Sequence, residues 1–209
     1  MRITPGYCPR CGTYVGPYMA DAADCPRCVN QALPLDGAVC VGEYSGVLAD
    51  VICKYKYGRQ QRMDGILGAM LSDAIRGRPW GGRVDGLVPV PASWLERWGY
   101  GFYPVALLAN VVGGELGLPV LSVVGIRGKR RRQVELPESE RSRNVRGVFY
   151  LGVRACVAGR RLCILDDVHT SGATLREVAR VLKQAGAAEV YAATVGKTHP
   201  GCSDGRRFA

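Results

Sequence analysis

Residues 162–175 constrain the fold more than any other stretch, because they pass from an apolar run to a polar loop and then to an amphipathic segment. The apolar run begins at Leu162, has the length of a strand and ends in the adjacent carboxylates Asp166 and Asp167. A short loop of Thr, Ser and Gly follows. Apolar residues then recur at helical spacing, at Leu175, Val178, Ala179 and Leu182. The stretch predicts a strand, a loop and a helix.

The loop in this stretch has the chemistry of a phosphate site. In an open α/β sheet, ligands bind at the carboxyl ends of strands, and the N–H groups of a helix N-terminus favour an anion. Thr170, Ser171 and Thr174 add hydroxyl donors, and Gly172 lets the backbone approach a phosphate closely. The two ionised carboxylates only accept hydrogen bonds, so they suit sugar hydroxyls or a hydrated cation. We predict a sugar-phosphate site; the alternative is an ordinary turn capped by Asp and Thr.

Length and composition indicate a globular protein whose partners carry phosphate. The 209 residues, 47% of them hydrophobic, suffice for one main domain with a small accessory module. No run approaches the roughly 18 to 20 apolar residues of a membrane helix, and the N-terminus lacks a secretory apolar core, so we expect no membrane insertion and a cytoplasmic location. The net charge of +10 favours nucleotides, sugar phosphates or nucleic acid without choosing among them.

Four cysteines form two C-x-x-C pairs, Cys8 with Cys11 and Cys25 with Cys28, separated by thirteen residues. This spacing predicts a tetrahedral zinc site, and four protein ligands make it structural rather than catalytic. A redox pair or two disulfides are the alternatives, although a cytosolic setting disfavours stable disulfides. We predict a zinc ribbon over residues 1–37, too small to fold without its metal, and a second domain over 38–209.

The rest of the chain alternates between strand and helix patterns. Strands are predicted over 38–44, 85–91, 120–126, 147–151, 161–165 and 189–195, and helices over 45–59, 62–76 and 102–116. Pro104 is tolerated in the first turn of the third of these helices, and Gly117 ends it. Cys40 and Cys53 have no C-x-x-C partner and are predicted to be small buried hydrophobes.

A strongly charged stretch separates the predicted strands 120–126 and 147–151. It has no core periodicity and predicts a long exposed loop of the kind that covers active sites. Its basic residues are Lys129, Arg130, Arg131, Arg132 and, further on, Arg141. Such a cluster can hold a diphosphate or a nucleic-acid backbone, and a merely solvated loop is the alternative.

The segment from Asp166 to Thr174 resembles the signature of type I phosphoribosyltransferases that binds 5-phosphoribosyl 1-diphosphate (PRPP), with Ser171 where Thr is more usual. This resemblance implies that Asp166 and Asp167 contact the ribose 2′ and 3′ hydroxyls. It implies that the 5′-phosphate is held by Thr170, Ser171, Gly172, Ala173 and Thr174. By the same resemblance, Mg²⁺ accompanies PRPP, and pyrophosphate is bound by Pro91, Ala92 and Ser93.

From about Cys8 to Lys197 the chain resembles the ComF family of competence-associated proteins, which join a zinc ribbon to a phosphoribosyltransferase-like domain. The matching segments are the two C-P-x-C pairs, Tyr44-Ser45-Gly46, Lys54-Tyr55-Lys56, Val88-Pro89-Val90-Pro91, and Gln133, Leu136, Glu140, Arg141, Asn144, Val145, Gly147 and Phe149. The resemblance implies an α/β fold with a parallel sheet flanked by helices. One segment departs from it: Tyr100-Gly101-Phe102-Tyr103-Pro104 stands where the family usually has Arg-Gly-Phe-Asn-Gln.

Two functions are compatible with these features. The first is Mg²⁺-dependent phosphoribosyl transfer from PRPP to a nitrogen acceptor, with pyrophosphate leaving. The second is an accessory role in competence, in which the zinc ribbon and the basic loop bind single-stranded DNA or competence machinery without turnover; a regulatory PRPP-binding protein is a third option. No general base is evident, and His169 is expected to be a spacer within the signature. The acceptor base and the oligomeric state do not follow from the sequence.

Overall fold

The computed structural model describes residues 7–13, 15–16, 25–30, 33–57, 63–92, 103–127, 145–153 and 155–198. The helices are α1 (Pro26–Asn30), α2 (Gly46–Tyr57), α3 (Met63–Arg76), α4 (Pro104–Leu116) and α5 (Ala173–Gln184), with a 3-10 turn at Gly81–Arg83. The strands are β1 (Gly37–Glu43), β2 (Gly86–Pro89), β3 (Val124–Ile126), β4 (Phe149–Leu151), β5 (Arg161–His169) and β6 (Glu189–Lys197). No helix within these ranges is long and apolar enough to cross a membrane.

Four parallel strands form the central sheet in the order β1-β6-β5-β2. The pairing of β5 with β6 runs from Arg161 opposite Glu189 to His169 opposite Lys197. Parallel neighbours require crossover connections, which place helices on the faces of the sheet and bring the carboxyl ends of the strands to one edge. The predicted α/β class with a helix-flanked parallel sheet is confirmed.

Each face of the sheet carries its own hydrophobic core. On one face, Ile52 of α2, Leu71 of α3 and Leu108 of α4 pack against odd-numbered residues of the strands. On the other face, Val178 and Leu182 of α5 pack against even-numbered residues, together with the pair of strands β3 and β4. Each such side chain contributes about 1.5–3 kcal/mol when fully buried, so the two cores fix the positions of α2 and α5 beside the carboxyl edge.

Three predicted strands are shorter than expected. The first, predicted over 85–91, is reduced to Gly86–Pro89. The predicted strand 120–126 changes partner along its length. Val120 forms an isolated bridge with Leu87 of β2, and only residues 124–126 form a strand, β3, which pairs antiparallel with β4. The apolar pattern is continuous across this change of partner, so periodicity alone does not reveal it. Strand β4 begins at Phe149 rather than at Gly147, which has a φ of 74° and therefore turns the chain.

Strands β5 and β6 are longer than predicted. The sequence pattern ends β5 at Leu165, yet its pairing with β6 continues through Asp166, Val168 and His169. The acidic pair therefore lies within the strand, and the connecting loop is reduced to residues 170–172. The reason is main-chain pairing with β6, which itself continues to Lys197 and holds polar residues in extended conformation whatever their own propensity.

An ion pair joins the starts of β2 and β5. Asp85 accepts hydrogen bonds from Arg161 Nη2 at 2.8 Å and from the main-chain N–H of Arg161 at 2.8 Å. The Arg161 side chain holds the pKa of Asp85 at about 2, below its ordinary 3.8. The ionised carboxylate therefore stabilises the fold above about pH 4, and this contribution is lost as the pH falls through about 2.

We expect Asp85→Asn to lower the free energy of unfolding at pH 7 by about 1 kcal/mol, the low end for such a shift because the pair is partly solvated. Urea unfolding at pH 7 and again near pH 2 measures the difference, which should shrink at the lower pH. Asp73→Asn, at an exposed pair with Arg76, is the matched control and should change stability less. A loss of equal size at both pH values would contradict the assignment.

Candidate phosphate site and metal centre

Four buried sulfurs meet near the N-terminus, as the spacing predicts. The ligand atoms of Cys8, Cys11, Cys25 and Cys28 all lie within 4.8 Å of one another. Sγ of Cys8 is 3.6 Å from that of Cys28, and Sγ of Cys11 is 3.7 Å from that of Cys25. Tetrahedral zinc with bonds of about 2.3 Å requires sulfurs about 3.8 Å apart, so the donor set fits zinc.

The protonation of the cluster also suits a metal. Hydrogen bonding with Cys8 lowers the pKa of the Cys11 thiol, and the same contact raises the pKa of Cys8. The contact therefore favours the thiolate of Cys11, which is the form of cysteine that binds metal. Within the described part of the chain, Cys40 and Cys53 lie outside the cluster. Cys40 is buried, as predicted. The same prediction for Cys53 is wrong, because this residue is only half-buried and its sulfur lies 3.2 Å from the hydroxyl of Tyr44.

Residues 170–172 form a tight loop between β5 and the N-terminus of α5. Gly172 has a φ of 71°, a conformation that favours glycine. The hydroxyl of Ser171 is buried and accepts a hydrogen bond from the N–H of Ala173 at 3.3 Å. A small cavity of about 20 Å³ brings together Asp166, Thr170, Gly172, Ala173 and Thr174. Five of the seven predicted PRPP-binding residues thus line one space, and Asp167 and Ser171 flank it.

Two cations hold the carbonyl side of the loop. Lys197 Nζ, at the end of β6, donates to the carbonyl of Thr170 at 2.5 Å, and Arg176 Nη1 donates to the carbonyl of Ser171 at 2.8 Å. Among the residues that the structure describes, the main-chain N–H groups of Ser171 and Gly172 donate no hydrogen bond. These donors, at the positive end of a twelve-residue helix, form a site for an anion.

The two carboxylates point to opposite faces of β5, because side chains alternate along a strand. Asp167 faces α2, where its carboxylate lies 2.9 Å from Lys56 Nζ, and both side chains are less than a fifth exposed. Asp166 accepts a hydrogen bond from the N–H of Asp167 at 2.9 Å and lines the small cavity beside the loop. Asp166 therefore has the more direct access to a ligand at residues 170–174.

The segment after β2 lies beside β5 at the same edge. The N–H of Val90 donates to the carbonyl of Leu165 at 2.9 Å, so the half-buried Pro91 and Ala92 follow beside the carboxyl half of β5. The hydroxyl of Tyr103 donates to the carbonyl of Val90. Tyr103, which differs from the residue usual in the family, therefore forms a hydrogen bond at the start of the predicted pyrophosphate loop. The third predicted residue of that loop, Ser93, lies outside the described residues.

A second, open cleft of about 580 Å³ runs along α5. Its lining comprises Leu33, Pro34, Asp36, Arg146, Ala173, Arg176, Glu177, Arg180 and Lys183. Arg180 is paired with Glu177 at 2.7 Å and Lys183 with Asp36 at 2.7 Å, so both carboxylates of the lining already neutralise a cation. The cleft keeps a net positive charge, consistent with the overall excess of basic residues.

Three residues beside the loop are not recognisable as site residues from the sequence. From the sequence alone, Lys56 is interpreted only as a cation near the end of a helix, Lys197 as part of a basic tail, and His169 as a spacer in the signature. The structure buries Lys197 and His169 and pairs Lys56 with Asp167. A signal for Lys56 is available in the Lys54-Tyr55-Lys56 segment shared with the ComF family. The basic cluster Lys129, Arg130, Arg131 and Arg132, and Arg141, lie outside the described residues.

Comparison with known families agrees with this geometry. The family model described as the phosphoribosyl transferase domain matches residues 100–201, which include β5, the loop and α5. The chain thus contains a domain of the phosphoribosyltransferase type. It is 29% identical to Competence protein F of Haemophilus influenzae over 189 residues, which is 88% of this chain and 81% of that protein. It is 30% identical to the DNA utilization protein YhgH of Escherichia coli K12 over 187 residues, 88% of this chain and 80% of that protein. The chain belongs to the ComF family.

Solved structures give a weaker likeness. The glutamine phosphoribosylpyrophosphate amidotransferase from B. subtilis has 21% identity and a TM-score of 0.45, and the match spans 68% of this chain but only 30% of that one. The adenine phosphoribosyltransferase from Thermoanaerobacter pseudethanolicus has 16% identity and a TM-score of 0.42, with 68% and 83% covered.

Proposed function

We propose that this protein binds PRPP, or a related sugar phosphate, together with Mg²⁺ and transfers the phosphoribosyl group to a nitrogen acceptor. The observation that carries the proposal is the pair of unengaged N–H groups at Ser171 and Gly172, at the N-terminus of α5 and beside the carboxylate of Asp166. A phosphate ester satisfies the donors, and sugar hydroxyls satisfy the carboxylate.

Phosphoribosyl transfer requires little covalent chemistry from the protein. Transfer develops positive charge at the sugar C1 as the bond to the diphosphate breaks, so positioning and charge complementarity supply most of the rate. Residues 170–174 would anchor the 5′-phosphate, Asp166 and Asp167 would orient the ribose, and Pro91, Ala92 and Ser93 would contact the diphosphate. Mg²⁺, which prefers oxygen ligands and phosphate, would arrive with PRPP and neutralise the departing diphosphate.

Calorimetric titration of the zinc-loaded protein with PRPP and Mg²⁺ tests the proposal. Saturable binding with about one site per chain supports the pocket, and pyrophosphate release with a panel of purine and pyrimidine bases then tests transfer. Binding without release for any base would leave a PRPP-binding regulatory protein. Lack of binding would refute the assignment of the loop to PRPP.

A second candidate function is nucleic-acid handling. Two observations favour it: the relatives are named a competence protein and a DNA utilization protein, and the chain carries a net charge of +10 with a basic cluster at 129–132. The cationic cleft along α5 adds a surface of the same sign. In this role the zinc ribbon and the basic cluster would hold a phosphate backbone, and the sugar-phosphate site would sense a nucleotide.

If this second function holds, replacing Lys129, Arg130, Arg131 and Arg132 by Ala should weaken binding of single-stranded DNA. Each lost phosphate contact lowers the slope of log affinity against log salt by about 0.7, so four contacts lower it by about 3. Fluorescence anisotropy with a labelled oligonucleotide at several salt concentrations measures both quantities. The Asp166→Asn/Asp167→Asn variant is the control and should keep its DNA affinity. Binding that ignores salt or the four alanines would count against the function.

A further inference from the structure

His169 lies between the cysteine cluster and the phosphate loop. Its side chain is only 4% exposed. A Cβ placed on Gly12 would lie 3.1 Å from both Nδ1 and Cε1 of His169, and a Cβ on Gly172 would lie 2.4 Å from Nε2. The two edges of the imidazole therefore contact two glycines, one beside the cysteines and one in the loop. Any larger residue at either position would displace the ring.

The position of Gly12 depends on the cysteine cluster. Gly12 follows Cys11 directly, and its N–H donates to the carbonyl of Cys8 at 2.9 Å, closing the turn between the first two sulfurs. The same turn is fastened to the sheet where the carbonyl of Pro9 accepts from the N–H of Ala38 at 2.7 Å. A tetrahedral metal fixes the relative positions of the four sulfurs, so metal binding sets where Gly12 lies against the imidazole.

The position of Gly172 depends on His169. Strand pairing holds the main chain of His169, whose carbonyl accepts from the N–H of Thr198 at 3.0 Å, and Lys197 fixes the next carbonyl, that of Thr170. With both ends of this dipeptide held, a shift of Gly12 against one edge of the ring is expected to press the opposite edge against Gly172. Close packing transmits such shifts instead of absorbing them.

We propose that His169 is a positioning residue that couples the cysteine cluster to the phosphate loop, so that metal occupancy of the cluster strengthens phosphate-ester binding at residues 170–174. The affinity part rests on the proposed function, because it needs a ligand at the loop. The contact of His169 with Gly12 and Gly172 does not rest on the proposed function, and it can be tested without a ligand.

Two glycine variants test the coupling. Gly12→Ala places a methyl group against the imidazole, whereas Gly16→Ala introduces an alanine at a φ of 87° where no atom of the described residues lies within 4 Å of its Cβ. Both carry backbone strain, and only the first crowds His169. We expect calorimetry of the zinc-loaded proteins to show PRPP affinity lowered at least about tenfold by Gly12→Ala and unchanged by Gly16→Ala. Equal losses in the two variants would overturn the proposal.

Two further measurements extend the test. In a protein that already carries His169→Ala, Gly12→Ala should no longer lower PRPP affinity, because the effects of coupled positions are non-additive. His169→Gln, which retains a polar side chain of similar reach, should recover part of the affinity. If the effects of Gly12→Ala and His169→Ala simply add, the coupling is absent.

A spectroscopic measurement separates this proposal from PRPP binding. The chain has two histidines, so His199→Gln leaves the His169 imidazole as a single Cε1–H signal in the NMR spectrum. Chelation of the metal should shift this signal and the amide signal of Gly172, with or without PRPP. If PRPP fails to bind but both signals move, the proposed function fails and the coupling stands. If the core stays folded and neither signal moves, the coupling is refuted.

Discussion

Replacing Asp166 and Asp167 together by asparagine is expected to abolish PRPP binding. In the proposed site each carboxylate would accept hydrogen bonds from sugar hydroxyls, and a hydrogen bond to a charged group contributes about 1.5–3 kcal/mol. Losing two costs about 3–6 kcal/mol, roughly a hundredfold to twenty-thousandfold in Kd. Calorimetric titration with PRPP and Mg²⁺ measures the loss directly, and the amide is nearly isosteric, so the fold should persist.

The single variants distinguish the two carboxylates. Asp166 lines the cavity beside the loop, whereas Asp167 is paired with Lys56 at 2.9 Å. We therefore expect Asp166→Asn to account for most of the affinity loss and Asp167→Asn to have a smaller effect with some loss of stability. Asp73→Asn, an exposed change of the same kind on α3, should bind normally. Unchanged affinity in the double variant would refute the site.

The second large effect is expected at the cysteine cluster. Cys25→Ser removes a buried sulfur from a four-ligand set, and zinc content should fall from about one per chain to near zero. Because so short a segment cannot bury enough apolar surface alone, the residues around the cluster should then become sensitive to protease while the helix-flanked sheet survives. Elemental analysis and limited proteolysis measure the two consequences.

Cys156→Ser is the matched control, because Cys156 is exposed and lies outside the cluster. It should keep both zinc and protease resistance. Thiol titration of the denatured, metal-containing protein tests the remaining alternatives, since disulfides or a redox pair would hide thiols from the reagent. Full zinc retention by Cys25→Ser, or fewer than nine titrated thiols, would contradict the metal site.

Local patterns account for much of the fold and of the candidate site. The predicted α4 ends at Gly117, as its left-handed φ of 66° requires, and Pro104 occupies the first turn. The C-x-x-C spacing anticipates a cluster that the structure brings within ligand distance. The predicted ends of the strands are less accurate where hydrogen bonding to a neighbouring strand overrides the residues' own preference for another conformation. β5 and β6 run past their apolar segments because each supplies the hydrogen-bond partners of the other.

The sequence by itself determined which groups are present: the four thiols, the acidic pair and the Thr-Ser-Gly loop at the start of a helix. These depend on spacing within a few residues, which the chain carries locally. Only the tertiary structure decided what surrounds the loop. Lys56 reaches Asp167 from α2, Lys197 reaches Thr170 from β6, and Gly12 contacts His169 from the cysteine cluster. The sequence separations of these contacts range from 27 to 157 residues, so they follow from the packing of distant elements and leave no periodic signal in the chain.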